Sequence, residues 1–174
     1  MKNKNTIKKL VLTALFTALT CIATMIIQIP TPTNGYLNLG DVFVLTSGLL
    51  LGPVYGTLAA GIGSCLADLF AGYLIYVPGT LLIKAITALV ASTVHTVLSG
   101  KKDKYRLLPL ISGCTLGELI MVSGYLIYES LLPGINFAAA LLSVPGNLMQ
   151  GLAGVVICIP LIKLLKTAKI TEKI

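Results

Sequence analysis

Two acidic residues lie inside apolar segments of this chain and are the first candidates for chemistry. Asp41 stands where one apolar run begins and Asp68 near the end of the next, with Gly52-Pro53 between the runs. A carboxylate in hydrocarbon is costly and marks a functional site by default. Because a reversal at Gly52-Pro53 would bring both carboxylates to the same side, the spacing predicts a polar pocket near one membrane face. Asp41 also suits the N-cap of the helix that it opens, a role compatible with facing a ligand.

The basic candidate is Lys84, which lies inside a later apolar segment. It stands about five residues from the start of that segment, or roughly 8 Å deep at 1.5 Å per residue. Two interpretations are open. The side chain extends along the helix to the interface, or it pairs with a carboxylate inside the bundle. The acids available for such a pair are Asp41, Asp68 and Glu129.

Two further helical faces are polar. Glu118, Tyr125 and Glu129 share one face, because their spacings match whole turns of an α-helix. Asn147 and Gln150 share another, and amides are costly in lipid without partners. Hydrogen bonds between helices would satisfy these residues, and so would a bound solute. Their convergence with two uncharged loops favours the solute.

No pattern for hydrolytic, nucleotide-binding or metal chemistry is present. HExxH, GxSxG and GxxxxGK[ST] are absent, and a single histidine, His95, excludes a His-rich metal site. The four cysteines lie in apolar runs without CxxC spacing, as buried apolar residues do. Asp41 and Asp68 could approach each other as in an aspartyl protease, but no supporting motif surrounds them. We therefore predict no catalysis, no metal and no cofactor.

The composition indicates whether these residues are surrounded by water or by a lipid bilayer. Of 174 residues, 56% are hydrophobic and 11% are charged, against about 25% charged in a soluble domain. Several runs reach the roughly 20 apolar residues that cross a bilayer. The net charge of +7 comes from basic residues scattered over helix ends, which argues against nucleic-acid binding. The chain is predicted to be a single all-α integral membrane domain over residues 1–174.

Apolar runs and turn residues divide this domain into six transmembrane helices. Residues 29–38 contain two prolines and Asn34-Gly35, which forbid a helix and indicate a structured loop suited to act as a lid. Tyr73 and Tyr76 lie in a second loop, where tyrosines serve either the interfacial belt or ligand stacking. Pro145 and Pro160 are expected to kink the last helix. The predicted helices are residues 10–28, 41–51, 54–70, 79–98, 107–128 and 137–165.

Basic residues are distributed unevenly between the two predicted membrane faces. Six helices place both termini on one side, and all Lys and Arg residues except Lys84 fall on that side. By the positive-inside rule both termini are cytoplasmic and the pocket faces outward. The residues that set this orientation are Lys2, Lys4, Lys8, Lys9, Lys101, Lys102, Lys104, Arg106, Lys163, Lys166, Lys169 and Lys173.

The first predicted helix carries a stripe of small residues. Ala14 and Ala18 are four residues apart, and Cys21 continues their face. Such a stripe lets another helix approach closely. That helix belongs either to this bundle or to a partner protein.

These residues resemble a known family. GYLNLGD at residues 35–41, LLLGPVYGTLAAGIGSCLADLFAGY at 49–73, Pro78 and Lys84 are similar to substrate-binding S components of energy-coupling factor (ECF) vitamin transporters. The resemblance covers nearly the whole chain, including its size and six helices. It extends to Ala14-x-x-x-Ala18, since such proteins carry an AxxxA contact to the coupling subunit of the transporter.

The resemblance implies a protein that binds a vitamin or precursor on the outer side and has no enzyme activity of its own. It then joins a transmembrane coupling subunit and two ATPase subunits, which hydrolyse ATP. The implied location is the bacterial plasma membrane. The subfamily is linked to riboflavin, pyridoxine and hydroxymethylpyrimidine-type compounds. A small, neutral or weakly charged heterocycle of the pyridoxine or hydroxymethylpyrimidine type is favoured, with riboflavin next.

In a chain without tryptophan, tyrosines would stack on such a ring, while amides and charged groups would bind its polar atoms. Two alternatives are a membrane scaffold, whose polar faces only join helices, and a stand-alone secondary carrier driven by a proton gradient. The predicted substrate-binding residues are Tyr36, Asn38, Asp41, Asp68, Tyr76, Lys84, Glu118, Tyr125, Asn147 and Gln150.

Overall fold

The computed structural model describes residues 2–100 and 105–169, and 81% of it is helix. The elements, in chain order, are α1 (Lys2–Ile26), β1 (Ile29–Pro30), β2 (Tyr36–Leu37), α2 (Gly40–Ala71), α3 (Val77–Ser99), α4 (Leu107–Ser130), α5 (Phe137–Leu141) and α6 (Val144–Thr167). Within these residues, five segments are long and apolar enough to cross a membrane: Thr6–Ile26, Gly40–Ala71, Val77–Ser99, Leu107–Ser130 and Phe137–Thr167. The all-helical architecture predicted from the sequence is confirmed.

The chain reverses inside α2, at Gly52. This residue has φ +82° and ψ −177°, a conformation that glycine adopts without steric cost, and Pro53 follows it. The two halves of α2 then run back along each other, because a Cβ placed on Gly56 would lie 2.5 Å from the Gly48 Cα. In an unbroken helix these two glycines would be about 12 Å apart. The reversal predicted at this position is confirmed.

The contact between Gly48 and Gly56 provides a test of this hairpin of helices. Gly56→Val should lower the free energy of unfolding by about 1–3 kcal/mol, because its methyl groups must push the two halves of α2 apart. Thermal unfolding of the detergent-purified protein measures the change. Leu58→Val, at a side chain that is 48% exposed, is the control and should stay within about 0.5 kcal/mol. If Gly56→Val were as stable as the wild type, the close packing of the two halves would be wrong.

The first half of α2 lies at the centre of the bundle. Residues 40–51 are buried except for the half-buried Phe43. α2 contacts α1, α3 and α6, while α4 packs on α3 and α6. The main apolar cluster joins Leu45 and Leu49 of α2 to Phe16 of α1 and Ile162 of α6. The buried half-helix therefore holds Asp41, at its N-terminal end, in a fixed position among the surrounding helices.

The helix bounds differ from the predicted ones at both ends of the chain. α1 begins at Lys2, so the basic segment before the first apolar run is part of the helix. The last predicted helix, 137–165, is two helices, since α5 ends at Leu141 and α6 begins at Val144. Pro145 lies in the first turn of α6, where its missing N–H is not needed. This proline therefore begins a helix, and the expectation that it kinks one is wrong.

The end of the bundle opposite the β-strands carries basic and aromatic residues. Lys9 Nζ lies 5.6 Å from the centre of the Tyr55 ring, and Lys166 Nζ lies 5.9 Å from that of Tyr105. The start of α1 therefore meets the reversal of α2 there, and the end of α6 meets the start of α4. Other residues used in the orientation argument, Lys101, Lys102, Lys104 and Lys173, lie outside the described residues.

Candidate functional site

β1 and β2 form an antiparallel hairpin over one end of the bundle. Each strand contributes two paired residues. The connecting turn is closed by Thr31 N, which donates to the Gly35 carbonyl oxygen at 2.9 Å, and Asn34 adopts φ +60°, as asparagine does in turns. The structured, non-helical loop predicted at residues 29–38 is confirmed. We call residues 29–37 the hairpin.

The tip of the hairpin is bound to Glu129, near the C-terminal end of α4. Thr33 Oγ1 donates to Glu129 Oε1 at 2.9 Å, and the Thr33 carbonyl oxygen accepts from Tyr76 Oη at 2.7 Å. Ser143 Oγ donates to the other oxygen of Glu129. Burial raises the pKa of Tyr76 to about 12, so its hydroxyl remains a donor at neutral pH. Both oxygens of this buried carboxylate are therefore engaged, Oε1 by the hairpin and Oε2 by the connection between α5 and α6.

The second strand places Tyr36 against Asp68, near the C-terminal end of α2. Tyr36 Oη donates to Asp68 Oδ1 at 2.6 Å, and the Tyr36 and Tyr73 ring centres are 4.5 Å apart. Burial first, and the Asp68 carboxylate second, raise the pKa of Tyr36 well above its ordinary value, so it too remains a donor. Asp68 Oδ2 is buried and has no hydrogen-bond partner among the described residues. A buried acceptor left in this way costs about 1–3 kcal/mol.

Beneath the hairpin, Asp41 and Lys84 form a buried ion pair. Lys84 Nζ lies 2.5 Å from Asp41 Oδ1, and the two residues are 2% and 1% exposed. Gln150 Nε2 donates to Asp41 Oδ2 at 2.6 Å, and Gln150 Oε1 accepts from the Asn38 backbone N–H at 2.8 Å. The Lys84 ammonium also lies 5.3 Å from the centre of the Tyr125 ring, within cation–π range. Of the two interpretations of Lys84, the ion pair inside the bundle is confirmed.

Glu118 lies below this ion pair, against α6. A Cβ placed on Gly154 would come within 3.0 Å of Asp41 Cβ and 3.4 Å of Glu118 Oε1, so this glycine lets both acidic side chains approach α6. Within the described part of the chain, neither oxygen of Glu118 has a hydrogen-bond partner. Glu118 lines a separate, largely apolar groove between α4 and α6.

The polar side chains under the hairpin surround a cavity of about 30 Å³, enough for roughly two water molecules. The convergence predicted from the polar helix faces is therefore present. Asp41 and Glu118 do not line this cavity, although Asp41 bonds to two residues that do. The other predicted substrate-binding residues all line it: Tyr36, Asn38, Asp68, Tyr76, Lys84, Tyr125, Asn147 and Gln150.

Several residues of the cavity wall were not among the predicted substrate-binding residues. Three of the six carried a signal that helical spacing could have revealed. Ser64 precedes Asp68 by four residues, Thr80 precedes Lys84 by four, and Glu129 follows Tyr125 by four, so each shares a face with a predicted site residue. The additional lining residues are Thr24, Thr31, Gly35, Ser64, Thr80 and Glu129.

The small-residue stripe of α1 lies on the outside of the bundle. Ala14 and Ala18 are exposed, and together with Leu66 and Phe70 of α2 they line an open apolar groove of about 570 Å³. No helix of the described chain covers these two alanines. Internal packing, one of the two interpretations of the stripe, therefore does not explain them.

The fold and the cavity define a class: a membrane-embedded helical bundle with an enclosed polar site under a hairpin. Comparison with known proteins gives the family. Residues 4–167 match the family described as ECF-type riboflavin transporter, S component, and the chain belongs to this family. Its members are membrane S components for vitamin uptake, that is, substrate-binding subunits of transporters and not enzymes.

Two solved structures share the fold. One is described as the S component of a bacterial ECF transporter; its TM-score is 0.72 at 22% identity, over 96% of this chain and 98% of that one. The other is the S-component for biotin from an ECF-type ABC transporter, with a TM-score of 0.69 at 23% identity, over 94% and 95% of the two chains.

Two proteins are similar in sequence. The thiamine precursor transporter HmpT of Lactococcus lactis subsp. cremoris is 33% identical over 159 residues, which is 90% of this chain and 86% of that protein. An uncharacterized protein of Pyrococcus woesei is 34% identical over 137 residues, which is 78% of this chain and 86% of that protein.

Proposed function

We propose that this protein captures a small heterocyclic vitamin or vitamin precursor on the outer side of the membrane and delivers it to a transmembrane coupling subunit with two ATPase subunits. The observation that carries this proposal is the buried polar cavity beneath the hairpin. Its wall combines tyrosines, amides and charged groups that are otherwise costly in a membrane. The ligand is of the hydroxymethylpyrimidine or pyridoxine type, with riboflavin next, and the thiamine precursor relative supports this order.

The size of the cavity supports a small ligand and a moving hairpin. Sites for small molecules usually measure about 300–1,000 Å³, whereas this cavity holds about 30 Å³. A ligand therefore enters only when the hairpin moves outward, and a single ring needs a smaller displacement than the three fused rings of riboflavin. In this proposal the hairpin is the lid of the site.

Ligand contacts are assigned to the residues of the cavity wall. Tyr36 and Tyr125 supply ring surfaces, which suit the face of a heterocycle. Asn147 and Gln150 supply amide groups for ring heteroatoms or hydroxyls. Asp41 acts mainly by holding Lys84, Glu118 is assigned no ligand contact because it lies outside the cavity wall, and the remaining predicted residues contact the ligand directly.

The orientation follows from the positions of the basic residues. The end that holds Lys9 and Lys166 faces the cytoplasm by the positive-inside rule, and the hairpin then faces outward. The two halves of α2 count as separate membrane helices, which gives six and places both termini in the cytoplasm. The groove at Ala14 and Ala18 is the contact surface for the coupling subunit, since small residues let a partner helix approach closely.

Ligand binding by the isolated protein tests this function. Native mass spectrometry of the purified protein should reveal a co-purified small heterocycle. After its removal, calorimetric titration without ATP should give a Kd below about 1 μM for one of three probes: the hydroxymethylpyrimidine moiety of thiamine, pyridoxine or riboflavin. A folded protein that binds none of them would refute the proposal and favour a scaffold. Uptake that persists without the ATPase subunits and follows a proton gradient would indicate a secondary carrier.

The lid role of the hairpin is tested by Thr33→Val. This change keeps the shape of the side chain and removes the hydroxyl that donates to Glu129. A hydrogen bond to a charged group contributes about 1.5–3 kcal/mol, so the dissociation rate of bound ligand should rise at least about tenfold in stopped-flow measurements. Thr93→Val, at an exposed threonine of α3, is the matched control and should leave the rate unchanged. An unchanged rate in Thr33→Val would show that the hairpin does not close the site.

A further inference from the structure

The four acidic residues in the described part of the chain are all buried, and their hydrogen bonds divide them by role. Asp41 uses both oxygens, on Lys84 and Gln150. Glu129 also uses both, one on Thr33 of the hairpin and the other on Ser143. Glu118 lies below the ion pair and outside the cavity wall. Of these four residues, Asp68 alone meets two conditions: it lines the cavity, and one of its carboxylate oxygens has no hydrogen-bond partner.

The position of Asp68 fixes which oxygen faces a ligand. Tyr36 Oη donates to Oδ1 at 2.6 Å, which holds the carboxylate in one orientation. Oδ2 is left without a donor in a residue that is 4% exposed. The Thr80 hydroxyl lies near this carboxylate and forms a hydrogen bond with Tyr125 Oη at 3.0 Å, in which either oxygen can be the donor. The arrangement thus presents a pre-oriented acceptor at the cavity.

We propose that Asp68 is the residue that selects the ligand, and that it takes a ring bearing hydrogen-bond donors, an amino group or a protonated ring nitrogen, at the atoms that face Oδ2. The proposal rests on the proposed function, because it assumes that the cavity is where the ligand binds. An ionised carboxylate only accepts hydrogen bonds. A ring that presents a carbonyl or an anionic group at this point leaves two buried acceptors facing each other.

The charges around the cavity favour the same class of ligand. The ammonium of Lys84 is engaged by Asp41 at 2.5 Å, so it does not offer a free positive charge to an anionic ligand. Among the described residues, the acidic side chains that line the cavity or bond to its wall are Asp41, Asp68 and Glu129, against one lysine. A cavity dominated by one sign of charge attracts the opposite sign. Cationic or donor-rich heterocycles are therefore preferred to carboxylated or phosphorylated ones.

The test compares two probes that differ at one position. One is the aminated hydroxymethylpyrimidine moiety of thiamine, and the other is its analogue with a methoxy group in place of the amino group, which accepts a hydrogen bond and gives the ring no donor. Wild-type protein should prefer the amino probe at least about 100-fold, because a site built to pair with a donor rejects a ligand that lacks it. In Asp68→Asn the amide can donate to the methoxy probe. The preference should fall at least about tenfold, through weaker amino-probe binding and tighter methoxy-probe binding.

A matched control separates this effect from a general loss of negative charge. Glu118→Gln makes the same chemical change in a buried carboxyl outside the cavity wall and should keep the wild-type preference; if it shifts the preference as Asp68→Asn does, the assignment is wrong. Thermal unfolding verifies that each variant is folded. The ratio of the two probe affinities in the wild type is a second measurement, and it needs no variant. If the wild type prefers the amino probe by less than about threefold, the inference is overturned.

The outcomes distinguish this inference from the proposed function. If the wild type binds a probe but Asp68→Asn keeps the same ratio, the role of Asp68 is wrong and vitamin binding stands. If the wild type binds riboflavin and neither pyrimidine probe, the selection of a small amino-bearing ring is wrong and vitamin binding again stands. If the folded wild type binds no probe at all, the proposed function fails as well.

Discussion

Lys84→Met is expected to lower the free energy of unfolding by about 3–5 kcal/mol, because it leaves the Asp41 carboxylate buried without its charge partner. Asp41 is 1% exposed, so bulk water does not reach the carboxylate that is left behind. Methionine has a similar length and keeps most of the packing against α2. Thermal or denaturant unfolding in detergent measures the loss. Lys163→Met, at an exposed lysine of α6, is the control for removing a positive charge and should change stability by less than about 0.5 kcal/mol.

The double variant Asp41→Asn/Lys84→Met separates folding from ligand binding. Removing both charges leaves no buried ion without a partner, and replacing a whole buried pair is often neutral. The amide oxygen of the introduced asparagine would still accept the hydrogen bond from Gln150. We therefore expect the double variant to recover most of the stability that Lys84→Met loses, while ligand binding stays impaired because Lys84 lines the cavity. Recovery of both properties would restrict Lys84 to a structural role. A single variant as stable as the wild type would contradict the buried pair itself.

The sequence located the buried polar residues but not their pairing. Acidic, basic and amide side chains in apolar runs are costly enough that they must have partners, so Asp41, Asp68 and Lys84 could be identified as a group. Helical spacing then assigned each to a face. It left three acids as partners for Lys84, because periodicity gives the face of a helix and not the depth at which it meets its neighbour. Only the packing of α3 against the first half of α2 selects Asp41.

Neutral hydroxyl residues show why part of the cavity wall was missed. Many threonines in these helices bond to the carbonyl four residues earlier, as Thr87 does to Ile83 at 2.9 Å, and such residues need no tertiary partner. A threonine in an apolar run is therefore weak evidence for a site. Thr24 of α1 lines the cavity without any sign of this in its neighbours along the chain. The division between α5 and α6 was also not predicted, because both segments are apolar and helix-forming and therefore read as one helix.

The other large effect is expected in transport. Ala14→Leu/Ala18→Leu should reduce vitamin uptake by cells that carry the coupling and ATPase subunits at least about tenfold, the equivalent of roughly 1.4 kcal/mol. Both alanines are exposed and line the groove between α1 and α2. Two leucines would fill this groove and keep a partner helix at a distance, since close approach needs small residues. Because the cavity lies at the hairpin and not at this surface, the isolated variant should bind ligand with a Kd within about twofold of the wild type.

Reduced uptake together with unchanged ligand binding would show that the leucine pair disrupts contact with a partner protein and not the ligand site. Leu15→Phe adds bulk at another exposed position of α1, outside the groove lining, and should leave uptake unchanged. Co-purification of the coupling subunit with each variant provides a second readout, and it should be lost only with the leucine pair. If the leucine pair lowered ligand binding as much as uptake, the effect would be on the fold. If it lowered neither, the groove would not be the contact surface, and the partner would have to bind another face of the bundle.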